Sequence, residues 1–421
     1  MITVGLDFGT HQTKVCIEHK DGVEKEYTFM KFFDTYNRFF YTLPSLVGVG
    51  KDGLLSYGYL PRRYDGRIIR YFKQSTFRPY PSGMSQVNAM YFSTWYLAYI
   101  LFDLEKQYGQ EFTIQMGAPT DSGHVHQVKV IATRIIASAY RLVEDVFANN
   151  KEKFLATPMK ELTELTDLVP YSQEIKDEYG LLVFPEAYAC LKPLISQGKL
   201  ATGMSLMIDI GGGTTDISFF TIEDNKPQVY DFYSINKGLN YLTGANESNQ
   251  TGTEVNVKDA SSIIQGRRNI YINEVNQVCD TLRSKLQKEF KQQTGLNMHR
   301  LMDALKNRPL VYCGGGSTFK TLRVSYAGYQ DKKQISHKEW NAKSIKDIDE
   351  IIDEELCPIL STAYGLAIST ENDNIIMKPF KDIFEGIRGY EEEHHHKSSR
   401  NTKFGSAFGG FSYADDWDAW K

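Results

Sequence analysis

The chain has no cysteine framework to hold it together. Its five cysteines, Cys16, Cys190, Cys279, Cys313 and Cys357, are odd in number, widely spaced and never arranged as CxxC. That excludes a paired-cysteine scaffold and a cysteine-based zinc site, and it fits free thiols in a reducing compartment. The chain also lacks a charge excess. A net charge of −4 and a pI near 6.2 give nucleic acid or an anionic membrane nothing to attract, so neither is expected as a partner. No uncharged apolar run approaches the roughly 18 residues that a membrane helix needs. The opening MITVGLDFG reads as a strand and not as a basic, then apolar, leader. The expectation from these absences is a soluble cytoplasmic protein, and 421 residues suffice for a large core in two lobes.

What the chain does have is a pair of glycine turns between apolar strands. Leu206–Ile222, LMIDIGGGTTDISFFTI, runs as a strand ending at Asp209, then Gly211, Gly212 and Gly213, then Thr214, Thr215 and Asp216, then a second strand. A turn without side chains lets backbone N–H groups come close to an anion. The two threonines offer hydroxyls to the same phosphates, and a carboxylate at a strand end can hold a hydrated divalent cation. The first residues repeat the design: a strand over Ile2–Phe8, then Gly9-Thr10-His11-Gln12-Thr13-Lys14, then Val15–Ile17. Asp7 lines up with Asp209, Gly9 with Gly211 and Thr13 with Thr215 at one constant offset, an internal repeat. Two anion-cradling hairpins predict two similar lobes gripping one polyphosphate from both sides.

Around the two turns the patterning alternates. Tyr41–Val49 reads as a strand entered through Pro44, and Tyr64–Ser75 is basic and aromatic. Apolar residues at helical spacing mark 87–108 and 125–147 as core-packed helices. Residues 148–170 are polar and charged, and read as short helices inserted on the surface. Phe112–Met116, Leu181–Phe184, Gln228–Tyr233 and Leu310–Cys313 read as strands, the last running into Gly314-Gly315-Gly316-Ser317-Thr318. Asn, Ser, Thr and Gly crowd 238–266, a small subdomain or mobile loop. Val275, Val278, Leu282, Leu286 and Phe290 mark a helix, and 357–369 is a helix of small residues. The expected division is lobe I over 1–198, with its surface insertion at about 148–170, and lobe II over 199–357, with a reduced upper subdomain at about 238–270. A closing helix over 358–383 returns to lobe I. From 384 to 421 the polar, glycine-rich and acidic composition predicts a flexible tail.

Several segments, taken in series, carry a family likeness. MIDIGGGTTDISFF is similar to the second phosphate segment of the seventy-kilodalton heat-shock chaperones, and VGLDFGT to their first. YTLPSLVGV looks like an early strand of theirs, FPEAYACL like the segment carrying their water-orienting glutamate, CGGGSTFKTL like their adenosine segment and AYGLAIS like their closing helix. Over about Met1–Lys378 the chain thus resembles the superfamily of actin, sugar kinases and these chaperones, and most nearly the chaperones' nucleotide-binding domain. The resemblance implies an α/β, two-lobed actin-like ATPase fold, with duplicated ribonuclease-H-like domains and a central cleft for ATP or ADP and Mg2+.

Carried over by motif position, the candidate catalytic residues are Asp7, Asp209, Glu186 and Lys73. Asp7 and Asp209 would hold the metal through its waters, Glu186 would orient the attacking water, and Lys73 would stabilise the phosphate. Gly9, Thr10, His11, Gly211, Gly212, Gly213, Thr214, Thr215 and Gly238 would line the nucleotide. Gly314, Gly315, Gly316 and Ser317 would lie toward the nucleoside, with Phe319 standing where the chaperones place an arginine against the base. Arg267 and Arg268 are possible substitutes for that arginine. Such a set suits phosphoryl transfer, which needs positioning and charge neutralisation more than covalent chemistry.

No segment resembles the chaperones' peptide-binding domain. The expected function is therefore an ATP-binding, ATP-hydrolysing conformational switch that acts through protein partners, read out through lobe II or residues 404–421. The alternative is an actin-like, filament-forming ATPase of plasmid-segregating or cytoskeletal type, with self-assembly, which the compact second lobe favours. A sugar kinase would need an acceptor-side base beyond Glu186. A module that binds nucleotide without turnover is what Phe319 and the missing adenosine contacts suggest.

Overall fold

The structure, a computed structural model, describes residues 1–61, 63–77, 84–109, 111–119, 124–169, 173–196, 204–223, 226–244, 262–295, 308, 310–325, 356–373 and 378–384. The expected tail beyond 384, and residues 245–261 of the expected upper subdomain, lie outside them.

The first hairpin is β1 (Ile2–Asp7) with β2 (Gln12–Asp21), extended by β3 (Glu24–Phe29). A small ribbon follows, β4 (Phe32–Phe33) with β5 (Phe39–Phe40). Then come β6 (Leu43–Pro44), paired with β2, and a separate sheet of β7 (Val47–Gly50), β8 (Leu55–Tyr57) and β9 (Gly66–Ile69). The single strand expected over 41–49 is thus two pieces. Pro44 has no N–H for a ladder, and the next amide, Ser45 N–H, donates to the His11 carbonyl at 2.9 Å, which turns the chain out of the first sheet.

The rest of lobe I is α1 (Phe72–Phe77), α2 (Gln86–Tyr108), β10 (Phe112–Ala118), α3 (Val125–Arg141) and a π-helical turn at Leu142–Val146. After it come α4 (Lys151–Leu155), α5 (Met159–Asp167), α6 (Gln173–Glu178), β11 (Leu181–Pro185) and α7 (Glu186–Ser196). Residues 148–169 do form short helices, most of whose residues are exposed or half-buried, and a few side chains tie them to the lobe I core. Phe154 and Leu162 are buried in the lobe I core, Phe154 stacks on Tyr57 at 5.6 Å, and the Trp95 indole N–H donates to Thr166 Oγ1 at 2.9 Å. One or two apolar residues per turn are enough to anchor a mostly charged helix, and a composition average hides them.

Lobe II is β12 (Ser205–Ile210), β13 (Thr215–Glu223), β14 (Lys226–Ile235), α8 (Leu239–Thr243), α9 (Gln265–Thr294) and β15 (Leu310–Cys313). Tyr271, Val275, Cys279, Leu282, Leu286 and Phe290 recur every three or four residues and form the buried stripe of α9, the spacing of an amphipathic helix laid on a sheet. The helix α10 (Cys357–Ala367) closes the described chain's main elements.

The two main sheets share one plan. In lobe I the order is β11-β10-β1-β2-β3 and in lobe II β14-β13-β12-β15. Each has a central hairpin, a further antiparallel strand beyond it, and a parallel strand on the far side of the first strand. The hairpins even share register: Asp7 faces Lys14 and Asp209 faces Asp216. The architecture is therefore α/β, two-lobed and duplicated. Each lobe has its own apolar core.

α10 packs on the lobe I hairpin and on α7. Two glycines allow the approach: a Cβ on Gly5 would lie 2.2 Å from the Ala367 nitrogen, and one on Gly365 would lie 1.8 Å from the Ala189 carbonyl oxygen. Just beyond α10, Asp373 accepts hydrogen bonds from the Val183 N–H at 3.0 Å and Lys176 at 2.9 Å, and pairs with Lys129 at 2.9 Å.

Candidate functional site

Each glycine turn is closed by its own backbone. Gly9 N–H donates to the Asp7 carbonyl at 3.0 Å, and Gly211 N–H to the Thr214 carbonyl at 2.9 Å. The turns then meet across the lobes. A Cβ on Gly212 would lie 2.7 Å from His11 Cβ, and one on Gly213 would lie 2.9 Å from Thr10 Cγ2. At the start of α8, Leu239 and Asn240 N–H donate to the Gly211 and Gly212 carbonyls at 3.0 and 2.9 Å, and a Cβ on Gly238 would lie 2.5 Å from the Gly211 oxygen. Asn240 Nδ2 stands 3.4 Å from His11 Nδ1. Burial, then the nearby Arg70 and Lys14 charges, push the His11 pKa down to about 4, so the imidazole is neutral at pH 7.

Acids gather beside the turns. Asp7, buried at the end of β1, accepts from Lys14 Nζ at 2.8 Å. Glu186 opens α7, and Lys73 reaches it from α1 with Nζ–Oε1 at 2.5 Å. Burial pushes the Glu186 pKa up; Lys73 draws it down, and the Asp7 and Asp216 charges add to the upward push. Asp209 ends at about 7, raised first by burial and next by the Asp216 charge, with Lys14 opposing and Asp7 and Glu186 adding to it. Asp7, Asp209, Asp216 and Glu186 thus share one field, with Lys14 and Lys73 set against them.

A cluster with that excess of buried negative charge suits a divalent cation, which would return Asp209 to its ionised form. Among the described residues, no three His, Cys, Asp or Glu side chains stand close enough to ligate one ion directly. Asp7 and Asp209 would be the residues to hold such an ion. Glycine at 212 and 213 lets the two turns come this close, since a side chain at either would run into His11 or Thr10.

The structure separates some residues that the sequence groups together. Thr215 is buried; its hydroxyl donates to the Lys237 carbonyl at 2.8 Å and lies 3.0 Å from the Tyr271 hydroxyl. It braces lobe II from the inside and does not turn to the cleft, because neighbouring positions on a strand point to opposite faces. Thr214 is the partner on the open side, 3.5 Å from Asp216 Oδ2. Ser317 is also buried, its hydroxyl donating to the Gly314 carbonyl at 2.7 Å. Phe319 belongs to the lobe II core and not to a nucleoside wall.

Gly314, at φ 73°, brings its backbone against Asp209: a Cβ there would lie 2.2 Å from Oδ1. Gly316 lies against Ile210, and Gly315 faces Ile359 and Leu239. Arg267 donates to the Tyr241 carbonyl, and Arg268 to the Thr321 carbonyl, so both guanidinium groups tie lobe II segments together.

Two charged residues escaped the sequence reading, Lys14 and Asp216. The signal was present. The offset that aligns Asp7 with Asp209 also aligns Lys14 with Asp216, and these are the residues facing the two acids across their hairpins.

No protein-family profile and no curated protein sequence matches the chain. Solved structures do. One is described as a "MamK double helical filament", at 15% identity and a TM-score of 0.45, covering 87% of this chain and 97% of the other. Another is MreB5 of Spiroplasma citri bound to ADP, at 15% identity and a TM-score of 0.41, covering 86% and 95%. Scores this low bear on neither activity nor partner. The two-lobed, duplicated fold is read from the sheets themselves, and nothing in the comparisons favours the finer likeness to the chaperones.

Proposed function

We propose that the chain binds a magnesium–ATP complex between its lobes and hydrolyses it, and that nucleotide state governs self-assembly. The observation that carries the first part is the buried Lys73–Glu186 pair beside two facing glycine turns and the Asp7–Lys14 pair. Magnesium, when bound, neutralises phosphate charge and polarises the phosphoryl oxygens. Asp7 and Asp209 hold its waters. The backbone of Gly212 and Gly213 approaches the phosphates, and Thr10 and Thr214 offer hydroxyls from opposite lobes. Lys14 and Lys73 supply positive charge where it builds up in transfer. Glu186, held by Lys73, accepts a hydrogen bond from the attacking water and orients it.

Self-assembly is preferred to a partner-driven, chaperone-like switch because that switch rests on a likeness the comparisons do not support. It also suits the economical second lobe, one four-stranded sheet carried by α8 and α9.

The test is phosphate release from ATP with magnesium, by wild type and Glu186→Gln, alongside sedimentation with and without ATP. Turnover lost in Glu186→Gln and pelleting that depends on ATP are expected. A wild type that does not bind magnesium–ATP ends the reading; a turning-over protein that stays monomeric at high concentration removes its second half.

A further inference from the structure

The β4–β5 ribbon presents aromatic side chains that the fold does not use. Phe32 pairs with Phe40 and Phe33 with Phe39. Side chains alternate across a strand, so Phe32 turns into the lobe I core while Phe33 and Phe39 face outward with Tyr36 at the tip, 58%, 39% and 70% exposed. Among the described residues, every large aromatic side chain that is exposed lies between Phe33 and Phe39; the other exposed large side chains are aliphatic or Met. A patch this concentrated marks an interaction surface.

The surface is preformed. The Asp34 carboxylate accepts from the Tyr36 and Arg38 N–H groups at 2.9 Å each and from Arg38 Nε at 2.8 Å. The Arg38 guanidinium lies over Tyr36 at 5.5 Å and over Phe40 at 5.8 Å, and Lys31 Nζ lies over Phe39 at 5.3 Å. Cations stacked on aromatic faces make it both apolar and basic. In sequence, residues 31–70 hold seven arginines and lysines against three aspartates, a stretch of +4 in a chain of net −4.

The sequence holds the complement. Residues 404–421, FGSAFGGFSYADDWDAWK, carry six aromatics, three aspartates and one lysine. The last described residue, Phe384, packs on Phe290 of α9 in lobe II, and the stretch from there to 404 reaches about 65 Å when extended. We propose that the β4–β5 ribbon is the docking site of this chain's own 404–421 segment. Its aromatic rings seat against Phe33, Tyr36 and Phe39, and Asp415, Asp416 and Asp418 turn toward Lys31 and Arg38.

The test uses the full chain with the photo-crosslinker p-benzoylphenylalanine in place of Tyr36, as an equal mixture of ordinary and heavy-isotope protein. Irradiation is expected to join position 36 to 404–421 within single chains, and D415N/D416N/D418N to lower that yield about tenfold at low salt, as lost charge attractions at an exposed site would. Crosslinks to another segment, crosslinks only between differently labelled chains, or none at all, overturn the proposal. Independently of the probe, F33S/F39S is expected to increase acrylamide quenching of the full chain's tryptophan fluorescence, by releasing Trp417 and Trp420; unchanged quenching also overturns it.

Discussion

Lys73 on α1 and Glu186 at the start of α7 are 113 residues apart in sequence and 2.5 Å apart in space, with side chains 6% and 18% exposed. Breaking such a pair from one side leaves a buried charge alone, which costs about 3–5 kcal/mol. Lys73→Met is expected to destabilise the fold by about that amount, discounted for the partial exposure of Glu186, and Lys73→Met/Glu186→Gln to recover most of it. Urea unfolding of the four proteins in the cycle measures this; additive losses would show that the pair is not coupled.

Catalysis separates from stability at the same pair. Glu186→Gln keeps the shape and removes the charge that orients water. We expect kcat to fall by about 10²–10³ with nucleotide affinity nearly unchanged. Single-turnover kinetics alongside nucleotide titration read the two quantities separately.

Lys14 neutralises Asp7 across the first hairpin. If it also meets phosphate, Lys14→Met should weaken ATP and ADP binding by about tenfold or more, the worth of a charge-assisted hydrogen bond. Calorimetric titration with the intact variant decides it, and wild-type affinity would confine Lys14 to its pairing with Asp7.

Gly365 has no room for a side chain, since its Cβ would overlap the Ala189 carbonyl. That carbonyl is backbone of the packed helix α7 and cannot yield cheaply. Gly365→Ala should cost about 1–3 kcal/mol through overpacking, despite alanine's better helix propensity. A urea midpoint at or above wild type would refute the packing.

Asp373 gives the closing segment a pH dependence. Burial raises its pKa, but the Val183 N–H, Lys129 and Lys176 outweigh it, so the folded value is lowered. A carboxylate whose folded pKa is depressed adds stability that is fully present above the unfolded value, about 3.9, and is lost as pH falls through the folded one. Wild type should therefore lose more stability than Asp373→Asn on acidification below about pH 4. Parallel unfolding curves of the two proteins across that range would count against it.

Much of this arrangement was legible because its signals are local. The glycine turns, the flanking apolar strands and the constant offset between them depend on residues within a few positions of one another, and the offset reappears as shared register in the two hairpins. The stripe of α9 was legible from Val275 to Phe290 for the same reason. The break at Pro44 and the burial of Phe154 were not, since an acceptor found in the His11 carbonyl and a ring stacked on Tyr57 are distant in sequence.

By itself, then, the sequence determined that a strand–turn–strand unit occurs twice and that acids stand at the strand ends, because backbone conformation and side-chain periodicity are set by neighbouring residues. Only the tertiary structure decided which charges meet. It set Lys14 against Asp7 and Lys73 against Glu186, and it sent Thr215 inward to Tyr271 while leaving Thr214 beside Asp216. Adjacent threonines are equals in a string of letters. The face each side chain takes, and the burial that raises or lowers its charge, exist only once the sheet has packed.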